Sequence, residues 1–196
     1  MRNALASIAL IALTMTAFAA HHEAAEIDEA EMMAVMMAAA KINEPHKQFA
    51  EAVGTWDAVM TFYMGPDAEP LETTMVVERS VELGGRVMVD HWRGNMMGAP
   101  FEGISRTGYD NVEQQYWSTW TDNMSTSVLM MYGKFDAETD ALVMTGKAIN
   151  PMTNNPYINR SVGKSVSPGV EEMQMYEDHG DGEYLSMSFT IKKRTP

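Results

Sequence analysis

The chain has 196 residues, 27 Asp and Glu against 14 Lys and Arg, a net charge of −13, 20 methionines and no cysteine. That length suits one domain with an extension, and the negative charge argues against nucleic acid and anionic membrane surfaces as partners. The lack of cysteine excludes disulfides, thiolate metal sites and cysteine nucleophiles.

The N-terminus reads as an export signal. Arg2 precedes the apolar stretch ALASIALIALTMTAFAA, and Ala17-Phe18-Ala19 has the small-x-small pattern of a signal-peptidase site. A spanning helix needs about 20 strongly apolar residues, and this stretch is shorter and rich in small ones. The expectation is a signal peptide over residues 1–19, a periplasmic or secreted protein, and no membrane insertion after cleavage. The rival reading is an uncleaved anchor. Cleavage after Ala19 would leave Ala20-His21-His22 at the terminus. A free amine, two amides and the His22 imidazole can enclose Cu(II) or Ni(II) in a square plane. The plain alternative is a solvated tail in which His21 and His22 are incidental.

Residues 20–52 form an acidic, Met-rich extension of good helix formers. A helix is expected over about residues 27–42, ended at Pro45, with a helical turn over 46–52. Met32, Met33, Met36 and Met37 fall at spacings that share a helix face. Such a face covers a barrel mouth, binds a partner, or stays free.

From Gly54 the texture changes to short alternating strands between turns. Strands are expected over 55–64, 72–83, 86–94, 101–109, 113–121, 126–135, 141–149, 157–166, 170–177 and 184–193. Gly84-Gly85, Asn154-Asn155-Pro156, Ser167-Pro168-Gly169 and Gly180-Asp181-Gly182 supply the turns. About ten consecutive strands with no helix between them predict an all-β, antiparallel up-and-down barrel, because closure removes exposed edges. The domain is taken as residues 53–196. In the first strand Trp56, Ala58, Met60, Phe62 and Met64 share one face. In the last, Leu185, Met187, Phe189 and Ile191 do so.

Charges on apolar faces are the candidate site residues. Arg79 lies among Met75, Val77, Val81 and Leu83, and Arg160 among Ile158, Val162 and Val166. An arginine buried unpaired is costly. Each could grip a ligand carboxylate by paired hydrogen bonds. The structural alternative is a pair with an acid or a rim position, and Asp90 or His91 would face Arg79 according to which face points inward. Trp120, with Met60 and Phe62, would line an apolar pocket or a packed core. Trp117 and Trp120 must point to opposite faces. Methionine thioethers suit Cu(I), yet neighbours on a strand diverge, so Met130 and Met131 cannot share a site. No hydrolase, zinc-protease or phosphate-loop motif occurs, and no cofactor is called for.

Gly54-Thr55-Trp56 at the head of the first strand resembles the Gly-x-Trp opening of lipocalins and related calycin barrels. That resemblance implies that Gly54 and Trp56 plug one barrel end beneath a basic residue of the last strand, here Arg194 or its neighbours Lys192 and Lys193. The segments HKQFAEAVGTWDAVMTFYMGPDAEP, GNMMGAPFEGISRTGYD, WSTWTDNMS and NPMTNNP resemble the bacterial domain-of-unknown-function 1579 family. That implies a calycin-like barrel and carries over no catalytic residue.

The expected function is binding of a small apolar or acidic amphiphile inside the barrel. The alternatives are a ligand-free barrel acting through its Met-rich helix as a protein-interaction module, and haem or copper binding, with His91 as the haem ligand.

Overall fold

The computed structural model describes residues 28–65 and 69–195. The expected signal peptide, His21 and His22 lie outside the described residues. Two helices, α1 (Glu29–Ala39) and α2 (Glu44–Glu51), precede ten strands. These are β1 (Gly54–Phe62), β2 (Leu71–Glu82), β3 (Val87–Met96), β4 (Ala99–Asp110), β5 (Gln115–Asp122), β6 (Leu129–Asp136), β7 (Ala141–Ile149), β8 (Pro156–Ser167), β9 (Val170–Asp178) and β10 (Glu183–Lys193). Each strand pairs antiparallel with its sequence neighbours, and β10 returns to β1 to close the barrel. The closing seam sets Ala58 opposite Ile191 and Met60 opposite Phe189. Every strand is thereby paired on both sides, which is what the up-and-down expectation requires.

The helices differ from the expected break at Pro45. Pro45 instead lies in the first turn of α2, where its missing N–H has no intrahelical partner to lose. Asp28 caps α1 by accepting the Glu31 N–H at 2.8 Å. No residue of α1 is buried, and Met32, Met33, Val35, Met36 and Met37 are all exposed. The methionine face is therefore not set against the barrel. By contrast α2 buries His46 and Phe49 over one barrel end, which we call the capped end. Arg86 in the β2–β3 turn donates to the Ala40 carbonyl at 2.6 Å, and Asn111 in the β4–β5 turn donates to the carbonyls of Ala39 and Lys41. These bonds hold the segment before α2 on the same end. The far end carries the other five connections.

The core gathers Trp56, Ala58, Met60, Met75, Val77, Trp92, Phe101, Phe189 and Ile191 from β1, β2, β3, β4 and β10. Two expected inward rows change. On β8 the buried residues are Asn159 and Ser161, so the inward row is the polar one and Arg160 points outward. On β10 a bulge between Leu185 and Met187 inserts Ser186. Met187, Phe189 and Ile191 keep the inward phase, but Leu185 pairs with Tyr176 and turns out, while Tyr184, opposite Glu177, turns in. Met64 lies beyond β1 and is exposed.

Trp117 and Trp120 take opposite faces, as the strand period demands. Trp120 lies inside, stacked on Phe101 with ring centroids 6.2 Å apart and edge-on to Trp92. Its indole occupies the space above Gly103, where any Cβ would run into it. Gly103→Ala should therefore lower stability by about 1–3 kcal/mol, read from the urea midpoint. Gly65→Ala, with open space at its Cβ, should stay within about 0.5 kcal/mol of the parent.

Candidate functional site

The two barrel ends are chemically different. At the capped end, Gly54 has φ +143°, a conformation that side chains rarely adopt, and a Cβ there would come within 3.1 Å of Lys193 Cε. Glycine thus lets the chain pass from α2 into β1 beneath Lys193. Trp56 follows, buried, with Nε1 donating to the Ala52 carbonyl at 3.0 Å. Two cations flank its indole: Arg79 Cζ at 4.8 Å from the ring centroid and Lys193 Nζ at 5.6 Å. Lys193 Nζ also donates to the Glu51 carbonyl at 2.9 Å. Of the three basic residues expected as candidates over Trp56, Arg194 lies on the outer wall, where it binds the exposed carboxylate of Asp57. Lys193 and Arg79 therefore take the plugging role, because successive residues of β10 face opposite sides.

Arg79 is 7 % exposed and lies directly opposite Asp90 on β3. Its Nε and Nη2 donate to the two Asp90 oxygens at 2.8 and 3.0 Å. Its Nη1 donates to both oxygens of Glu171 on β9, at 2.8 and 3.0 Å. Burial opposes the guanidinium charge, but the two carboxylates more than offset this and raise its pKa. Burial pushes the Asp90 carboxyl up, against the pull of Arg79. A fork-shaped donor satisfied on both sides has no face left for a ligand carboxylate. Arg79 is part of the plug. Arg160, on the outer wall, pairs with Glu183 at 2.6 and 2.7 Å and stacks over Tyr176.

Above the plug, α2 closes the end with an aromatic layer. Phe49 meets Tyr116 edge-on, His46 meets Tyr109, and the two tyrosines contact each other at 5.0 Å. His46 Nδ1 accepts the Asn43 N–H at 3.3 Å, a reciprocal cap at the helix start. Burial holds the His46 pKa below its ordinary value of 6.5.

The interior toward the far end is of another kind. Trp120, Met173, Met175 and Met187 pack against the core yet are only partly buried. Met60 is buried in the core and Phe62 packs against it from the far end. Beyond them, β8, β9 and β10 bring together Tyr157, Asn159, Glu177 and Tyr184, with His179 just past β9. His179 stacks on Tyr157 with centroids 4.7 Å apart. Its Nε2 lies 2.9 Å from Glu177 Oε2, and Tyr184 donates to the same oxygen at 3.2 Å. Burial and the neighbouring Glu177 charge push the Tyr184 phenol up to about 12. Asn159 is 2 % exposed, and its Nδ2 has no acceptor; the same holds for Nε1 of the buried Trp92. Trp120 Nε1, by contrast, donates to Asp122 at 2.7 Å.

This cluster was not legible beforehand. The apolar row of β8 faces outward, against the usual sense of burial, and the Ser186 bulge breaks the alternation that would reveal Tyr184. The one available signal was the spacing of Glu177 and His179 across a strand end. His91 has the outward phase of β3, between the buried inward residues Asp90 and Trp92, so an inward haem ligand at that position is not formed. Two hollows lie on the outer wall. One of about 180 Å³ is floored by Ala141 and Val162, and one of about 280 Å³ lies beside His91 and Arg93. Among the described residues no three His, Asp or Glu side chains gather as a metal site would need.

The family described as "Protein of unknown function (DUF1579)" matches residues 41–193. Among solved structures, "Crystal Structure of Rv2717c from M. tuberculosis" is similar with a TM-score of 0.54 at 9 % identity, covering 79 % of this chain and 100 % of that one. At such identity the likeness concerns the fold alone. No curated protein matches the chain.

Arg79→Met leaves the buried Asp90 and the partly exposed Glu171 without their cation, and should cost about 3–5 kcal/mol at neutral pH in urea unfolding. A loss below about 1 kcal/mol would remove the plug from this account. A second expectation concerns pH. Since the folded His46 pKa is lowered, its contribution to stability is present above 6.5 and is lost as pH falls from there through the folded pKa. Comparing urea midpoints at pH 7.5 and 5.5, His46→Gln should show a smaller acid-induced drop than the parent.

Proposed function

The chain belongs to the DUF1579 family of proteins of unknown function, and from that premise we propose that its barrel binds one small amphiphilic molecule, received through the end opposite α2. The observation that carries this reading is the pair of buried donors, Trp92 Nε1 and Asn159 Nδ2, with no acceptor among the protein's described atoms. Both belong to inward-facing residues. A buried N–H left unbonded costs about 1–3 kcal/mol, so an acceptor from outside the chain is favoured there. The partly buried Met173, Met175, Met187 and Trp120 offer an adaptable apolar wall beside it. The bound molecule is held by shape, thioether and indole contacts, and by these donors, not by Arg79 or Arg160.

A second reading draws on α1, whose methionines are exposed on a helix with no buried residue. It would make α1 a docking helix for another protein, with the barrel as its anchor. Export belongs to the proposal as well, supported by the signal-like residues 1–19.

The test uses full-length protein isolated from the cell envelope, with its N-terminus sequenced. The uncharged fluorophore N-phenylnaphthylamine is titrated while tryptophan emission is followed. Saturable one-to-one binding with energy transfer from tryptophan is expected, and native mass spectrometry of untreated protein should show an added mass of a few hundred daltons or less. No saturable binding together with no added mass beyond water overturns the binding reading and leaves the α1 reading in its place.

A further inference from the structure

The interior has a charge pattern that the binding reading does not by itself explain. Among the described residues, the cations with inward phase are Arg79 and Lys193, both at the capped end and both committed: Arg79 to two carboxylates, Lys193 to Trp56 and the Glu51 carbonyl. Toward the far end the inward charges are Asp122 and Glu177. Asp122 accepts from Trp120, and Glu177 accepts from Tyr184 and contacts His179. Arg160, the nearest guanidinium on β8, is on the other face of the wall and is held by Glu183. A carboxylate entering here would meet acids and, among the described residues, no free lysine or arginine, with His179 already engaged by Glu177, in surroundings where charges interact more strongly than in water.

The same region offers a donor and an acceptor to an uncharged guest. The Asn159 amide N–H is a buried donor without an acceptor. It lies near the Tyr157 hydroxyl, close enough to draw that phenol's pKa down against the rise caused by burial, yet forms no hydrogen bond of ordinary geometry. Glu177 is the facing acceptor, since Asn159 and Glu177 are cross-strand partners on β8 and β9. Glu177 is 19 % exposed on its side chain and already takes two donors on Oε2, which leaves Oε1 for another.

We propose that the far-end cluster of Tyr157, Asn159, Glu177, His179 and Tyr184 is the head-group subsite of the barrel, and that it selects an uncharged head able both to accept and to donate a hydrogen bond, such as a carboxamide or hydroxyl, while rejecting a carboxylate. The head's oxygen accepts from Asn159 Nδ2 and its N–H or O–H donates to Glu177. This inference rests on the binding reading and refines it: the head it selects has the opposite polarity to an acid gripped by Arg79. It also gives the polar rim a purpose distinct from that of the Arg79 plug, which shares no residue with it.

The experiment compares molecules of one chain length, dodecanamide, dodecanol and dodecanoate, as competitors of N-phenylnaphthylamine at pH 7.5. The amide and the alcohol should displace the fluorophore at concentrations at least about tenfold below those needed for dodecanoate. Glu177→Gln removes the repelling charge and should bring dodecanoate to within about threefold of the amide. Asn159→Leu, which replaces the orphan donor by an apolar group of similar size, should keep or raise the urea midpoint while weakening competition by the amide and the alcohol at least about threefold. If the fluorophore binds but dodecanoate competes as well as the amide, the selectivity is wrong and the binding reading survives. If the preference exists but neither substitution changes it, the subsite is misplaced. If no fluorophore binds, the binding reading itself fails and this inference falls with it.

Discussion

A guanidinium shielded from water must be matched on every donating edge, and the barrel is organised around the place where that happens. Arg79 and Asp90, from the adjoining β2 and β3, meet Glu171, from β9 elsewhere in the wall, beside Trp56. The cost of desolvating such a charge is recovered only with all partners in position. That requirement fixes β9 against β2 across the barrel axis, and with it the register of the closing strands between them. It also decides which end is shut. Trp56 lies against the triad, Ala52 receives the Trp56 N–H, and α2 follows over both.

With one end so committed, the chemistry of the other can differ. The aromatic core of β1 to β4 and β10 ends where the methionines of β9 and β10 begin. Methionine has several rotatable bonds and few geometric demands, so it forms a wall that accommodates occupants of varied shape. Polar side chains then replace it at the rim. The gradient along the axis runs from a saturated ion cluster, through indoles, to thioethers, to phenols and amides.

How much of this was readable depended on whether a property is local to a strand. The ten strands, their turns and the Gly54-Thr55-Trp56 opening were legible, because alternation and turn chemistry are properties of short windows. The Arg79–Asp90 pair was half legible: the two strands adjoin, and either Asp90 or His91 had to face the arginine. Glu171 was not, because it is separated from Arg79 by 92 positions and no pattern in either strand announces the other. Arg160 was misplaced because β8 places valine and isoleucine on the outer side and asparagine and serine on the inner, against the usual sense of burial. The exchange of Arg194 for Lys193 as neighbour of Trp56 was a single-residue question of phase. Resemblance to the family could suggest a basic residue there but could not choose between adjacent ones.

The bulge at Ser186 has a consequence of its own. The last strand contains two side-chain registers joined at one residue: from Met187 onward it is written for an oily interior, and before Ser186 it is written for a wet one. A strand of strict period cannot present Tyr184 and Met187 to the same side, since they differ by an odd number of positions. Ser186, buried and bonded to the Met175 carbonyl, is the splice between them. Flattening the bulge with Ser186 retained would bring the strand into a single frame and exchange a phenol for the neighbouring leucine at the rim, whereas deleting Ser186 would leave Tyr184 facing in. The chemical character of one mouth is in that sense set by counting, through an insertion, before it is set by the kind of residue inserted.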